Sequence, residues 1–108
     1  MAHSVQKTAL FKADDDYQVF LKIIEKTMDE MYFEMYAYCM MTNHFHLLIG
    51  TKDRPIWIIM NRILTNYAKY YNYKYGYVGH LFDSRYASSV IKDPVYLVEA
   101  SRYIVSDE

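Results

Sequence analysis

A chain of 108 residues that is 53% hydrophobic and 23% charged has the composition of one small globular domain, which excludes a disordered tail and a second independent core. Its net charge of -1 excludes a global basic field, and its single cysteine, Cys39, excludes an internal disulfide. No apolar run reaches the ~20 residues of a membrane span and no signal-peptide pattern opens the chain, so a cytoplasmic protein is expected. Charge is unevenly spread. Asp14, Asp15, Asp16, Glu25, Asp29, Glu30 and Glu34 make the first third acidic, whereas basic residues outnumber acidic ones between Arg54 and Arg102.

In chain order, a frayed strand over residues 2–7 precedes Asp14-Asp15-Asp16, which supply an N-cap and an acidic first turn. Tyr17, Phe20, Leu21, Ile24, Met28 and Met31 recur at helical spacing and predict a helix from about 15 to 31. The run "FEMYAYCMM" (33–41) is aromatic and short, which predicts a strand with Cys39 buried inside it. Thr42-Asn43 is a turn signal, and "HFHLLIGT" returns as the paired strand. Pro55 opens a second helix whose apolar stripe runs through Ile59, Ile63, Tyr67 and Tyr71 to about 73, with Trp57 expected in the core. A Gly-containing loop follows, then a strand in "LFDSRYASSVI". Asp93-Pro94 predicts the start of a final helix from about 94 to 106. The sum is an α+β domain of order (β)αββαβα, a small antiparallel sheet with helices packed on it, covering residues 1–108.

His44 and His46 carry the first chemical signal. On a strand they point to one face while Phe45, Leu47 and Ile49 point to the other, and their Cα atoms lie about 6.5 Å apart. Two imidazoles so placed can converge on one divalent ion and leave its remaining positions open. The competing explanation is a half-buried pair satisfied by backbone or water. A histidine-triad hydrolase is excluded because the third alternate position is Leu48.

The last segment, "DPVYLVEASRYIVSDE", places Tyr96 and Tyr103 seven residues apart, so on a helix they share a stripe about 10 Å long. Glu99 and Asp107 would flank Tyr103 one turn away on either side. Both tyrosines are equally consistent with plain core packing. A phenol with an ordinary pKa of about 10 is a poor nucleophile at neutral pH, and a divalent metal on the phosphate compensates by lowering its charge.

Three stretches resemble the single-tyrosine HUH transposases (the IS200-like group), especially the REP-associated tyrosine transposases. They are "MYAYCMMTNHFHLLIG" (35–50), "GHLFDSRYASSV" (79–90) and "YLVEASRYIVSDE" (96–108), and "LFKADDDYQVFLKII" (10–24) resembles the family's first helix. The resemblance implies a ferredoxin-like HUH fold with His44, His46 and Asp107 as ligands of Mg²⁺ or Mn²⁺. Tyr103 matches the nucleophile that attacks a phosphodiester of single-stranded DNA, often beside a hairpin, and Tyr96 is the fallback. The product is a 5′-phosphotyrosine and a free 3′-OH, in a cytoplasmic, nucleoid-associated enzyme for which a homodimer stays open. Asp107 stands where the family carries an amide, and the family extends further at both ends, so a curtailed domain is expected here.

Lys69 and Lys74, interleaved with a tyrosine-rich stretch from Tyr67 to Tyr77 whose loop members are available for stacking, and Arg85, in the family-like "SRY" strand, are the expected phosphate contacts. Two rivals stand beside the transposase. One is an inactive hairpin DNA- or RNA-binding domain of the same fold, and the other is a phosphodiesterase in which a histidine-bound metal activates water.

Overall fold

The computed structural model describes residues 9–78, 81–82 and 86–101. Two helices and four strands follow in the order α1 (Asp14–Met31), β1 (Glu34–Met40), β2 (His44–Gly50), α2 (Ile56–Tyr75), β3 (Ala87–Lys92) and β4 (Val95–Ser101). The strands form one antiparallel sheet in the order β1-β2-β4-β3. The α+β class with helices packed on an antiparallel sheet therefore holds.

Each element follows from local chemistry. The apolar stripe of α1 buries Phe20, Ile24 and Met31, and that of α2 buries Ile59, Met60, Ile63, Tyr67 and Tyr71. Both meet the inward residues of the two central strands: Phe45, Leu47 and Ile49 from β2, Val98 and Ala100 from β4. Burial alternates along β2 as strand geometry requires, with His44, His46 and Leu48 half-exposed between buried neighbours. The helices end on left-handed residues, Tyr32 (φ 54) for α1 and Gly76 (φ 62) for α2, and Gly76 takes that conformation without a Cβ penalty. β1 bulges between Met35 and Ala37, where the ring of Tyr36 occupies the space that Gly50 leaves.

The helix pair is held by a buried carboxylate of α1. Asp16 is fully buried, and its oxygens accept from Tyr70 Oη (2.7 Å), Tyr75 Oη (2.5 Å), Lys74 Nζ (2.9 Å) and the backbone N–H of Lys12 (2.8 Å) and Ala13 (3.1 Å). Burial alone would push this carboxyl up. The donors outweigh it and hold it well below the ordinary carboxylate range. Nearby, Tyr67 Oη and Tyr71 Oη donate to the carbonyls of Leu10 and Ala9, so α2 grips the segment leading into α1.

Several sequence expectations change. The final helix is absent over Val95–Ser101, which is a strand paired with β2 on one side and β3 on the other. Asp93-Pro94 is the turn between β3 and β4, and "YLVEA" alternates Tyr96, Val98 and Ala100 inward, a period of two that a short apolar run conceals. Ala13 rather than an aspartate is the N-cap of α1, and Asp16, at the third helical position, reaches back to the chain before it. Cys39 is exposed, because its register opposite His46 turns it away from the helices. Trp57 is 60% exposed, one residue off the buried stripe of α2. Tyr67 and Tyr71 pack the core as expected. Residues 2–7 lie outside the described residues.

Candidate functional site

Among the described residues, the histidine pair stands on the sheet face that carries no helix. Phe45, fully buried between the two, anchors β2 to the core, and the strand period then turns both imidazoles outward. Their ring centroids are 5.3 Å apart with planes at 72°, so the edge of one ring meets the face of the other. His44 Nδ1 lies 3.0 Å from Asn43 Oδ1, a hydrogen bond that ties its ring to the β1–β2 turn.

Neighbouring strands surround the pair. In register, Cys39 of β1 and Glu99 of β4 flank His46, and Ser101 of β4 lies opposite His44. Directly paired residues of an antiparallel sheet share a face, so Cys39, His46 and Glu99 form one row across three strands. Among the described residues, no three His, Cys, Asp or Glu side chains converge closely enough to hold a metal ion as they stand. The described site is a two-nitrogen platform with acidic and thiol neighbours, open to solvent.

The tyrosine candidates divide. Tyr96 pairs with Ile49 and Val90 and packs against the core, on the sheet face opposite the imidazoles, so β4 separates it from them. Tyr103 and Asp107 lie outside the described residues, as does Arg85. The chain leaves β4 at Ser101, two residues before Tyr103, and Ser101 is the register partner of His44.

The basic candidates sit elsewhere. Lys69 is exposed on α2, in the helical layer on the far side of the sheet. Lys74 donates to Asp16 and to Tyr70 Oη (3.2 Å), contacts that hold its ammonium pKa above the ordinary value and commit the charge to the α1–α2 junction. Tyr70 and Tyr75 belong to that junction as well, while Tyr73 stands free at 93% exposure. The Asp16 junction has no local signature in the sequence, since its side-chain partners lie 54 to 59 residues away. Exposed Trp57 and Cys39 were likewise hidden by their apolar surroundings.

A family model described as "Transposase IS200 like" matches residues 2–107. No curated protein and no solved structure shows significant similarity to the chain. With nearly every residue covered, the chain belongs to the IS200-like transposase family, and so is a DNA-binding, DNA-processing protein. No helix among the described residues is long and apolar enough to cross a membrane.

Proposed function

We propose that this member of the IS200-like transposase family cuts and rejoins single-stranded DNA on the outer face of its sheet, with Tyr103 as the nucleophile. The observation that carries the reading is the pair of adjacent, outward-facing imidazoles on a strand whose other face is locked into the core. Among the described residues no helix packs on that outer face, so core packing there does not call for two histidines.

The donor set suits a divalent cation such as Mg²⁺ or Mn²⁺. His44 and His46 would hold it through ring nitrogens, with Asp107 supplying an oxygen as the family resemblance suggests. When bound, such an ion lowers the negative charge of a scissile phosphate and polarises its P–O bond. Asn43 orients the His44 ring, and buried Phe45 anchors the strand on which both rings depend.

In the reaction, the Tyr103 oxygen forms a bond to phosphorus as the bond to the 3′ oxygen breaks. The phenolic proton passes to solvent and the departing 3′ oxygen takes up a proton. The downstream DNA is left joined through its 5′ phosphate to the tyrosine. Attack by another 3′-OH reverses the sequence and joins new strands, with the bond energy conserved in the phosphotyrosine.

The test uses a 3′-labelled single-stranded oligonucleotide bearing a hairpin, incubated with the protein and Mn²⁺ and resolved on a denaturing gel. The proposal expects a labelled band at the protein's position, absent in Tyr103→Phe. Binding without that band favours a non-catalytic DNA-binding domain. Cleavage that persists in Tyr103→Phe without an adduct favours a water-using phosphodiesterase.

A further inference from the structure

We infer that the exposed ring of Tyr36 is a stacking platform for a base of single-stranded DNA, on the same sheet face as the histidine pair. The inference rests on the reading of that face as the place where DNA is cut, and adds a residue that grips the strand.

Tyr36 is the extra residue of the β1 bulge, between Met35, which pairs with Ile49, and Ala37, which pairs with Leu48. A bulge re-aims a side chain, and three observations place this ring on the outer face. Gly50 stands at an outward position of β2, in step with His44, His46 and Leu48, yet it is buried where they are half-exposed. The Tyr36 ring covers it, with Cε2 and Oη 2.8 and 2.9 Å from where a Gly50 Cβ would stand. Tyr36 Oη also donates to Glu34 at 2.6 Å, and Glu34 faces outward opposite Gly50. The ring is thus held by a close contact and a hydrogen bond while it stays 55% exposed.

An aromatic ring fixed in place and open to solvent is preorganised for a base, because every base has a π-face and stacking tolerates sequence. The chain belongs to a DNA-processing family, which makes single-stranded DNA the occupant. Other exposed aromatics lie elsewhere: Tyr38 pairs with Leu47 and turns to the helix side, and Trp57 and Tyr73 belong to α2. Gly50 is four residues along β2 from His46, about 13 Å, roughly the length of four stacked nucleotides. Between them lie Leu48 and its register partner Leu97, both partly exposed and uncharged. Glu34 pairs with Lys52 at 3.4 Å, so the carboxylate that holds the ring has its charge offset and an ammonium stands beside the platform. The hydrogen bond to Glu34 raises the pKa of the Tyr36 phenol, which keeps the group neutral and out of the attack on phosphorus. A ring over a strand glycine also supports the sheet, and the experiment separates that role from stacking.

Fluorescence anisotropy with a chelator present measures binding of two hairpin oligonucleotides, one with a single-stranded thymidine arm and one whose arm has the same backbone without bases. Wild type, Tyr36→Ala, Tyr36→Phe and Gly50→Ala are compared. The expected result is a loss of about tenfold for Tyr36→Ala on the thymidine arm and no loss on the abasic arm. Tyr36→Phe keeps the π-face and should stay close to wild type. Gly50→Ala, whose added methyl displaces the ring, should weaken binding of the thymidine arm and cost nothing more when combined with Tyr36→Ala. Equal losses on both arms, or wild-type affinity of Tyr36→Ala for the thymidine arm, overturn the stacking role. Tyr36→Phe binding as weakly as Tyr36→Ala also overturns it, by assigning the effect to the hydroxyl. Where wild type still forms the covalent adduct with Mn²⁺, the cutting face stands without the platform. A wild type that binds neither oligonucleotide sinks both claims together.

Discussion

Replacing Asp16 by asparagine should strip the helix pair of its main polar clamp. The carboxylate accepts five hydrogen bonds on two oxygens, and an amide offers one oxygen and two further donors. Whichever way the amide turns, its NH₂ faces groups that are themselves donors. Hydrogen bonds to a charged acceptor contribute about 1.5–3 kcal/mol each and neutral ones about 0.5–1.5, so the charge is worth roughly 1 kcal/mol per bond. Tyr70, Tyr75 and Lys74 are partly exposed and recover water, which discounts their share. A net loss of about 3 kcal/mol remains for a site where the carboxylate itself is fully buried. At about 4–8 °C per kcal/mol for a domain of this size, the melting temperature should fall by roughly 15 °C.

The acid dependence has a definite sign. A carboxyl held below its unfolded value of about 3.9 stabilises the fold above that pH, and its contribution fades as pH falls below it. The gap between wild type and Asp16→Asn should therefore be widest near neutrality and shrink as pH drops below about 4. Differential scanning calorimetry across pH 3 to 7 reads both quantities. Equal melting temperatures at pH 7, or a gap that stays constant to pH 3, would refute the clamp.

Phe45→Ala should cost about 3–5 kcal/mol by chemical denaturation, because it empties a fully buried ring site between the two histidines. An unfolding free energy within 1 kcal/mol of wild type would contradict the anchoring role. Trp57→Ala should shift stability by no more than about 0.5 kcal/mol, since the indole is largely in solvent. A loss of several kcal/mol would mean that the ring is covered.

Five of the six elements were legible because each carries a local signal. The stripe Phe20–Ile24–Met31 can only be a helix, and the alternation around Phe45 can only be a strand. β4 was not, because "DPVYLVEAS" satisfies a helix start and a turn-plus-strand equally well. Its true state depends on pairing with β2 across more than forty residues of intervening chain. That same pairing determines which side chains face His46, so Glu99 could be placed beside a helical Tyr103 from sequence but not opposite the imidazole. Composition misled for Cys39 and Trp57 because an apolar neighbourhood does not say which face meets the helices. The histidine pair itself was legible, since a period of two places both rings on one side whatever the rest of the chain does.

Intact-mass measurement of the protein after exposure to a hairpin oligonucleotide and Mn²⁺, in wild type and in His46→Ala, tests most directly whether the outer sheet face is where DNA is cut. The account predicts a wild-type species heavier by the downstream DNA fragment with its 5′ phosphate, absent from His46→Ala and from wild type treated with a chelator. An adduct of equal yield in His46→Ala, or none in wild type with bound oligonucleotide, would contradict it.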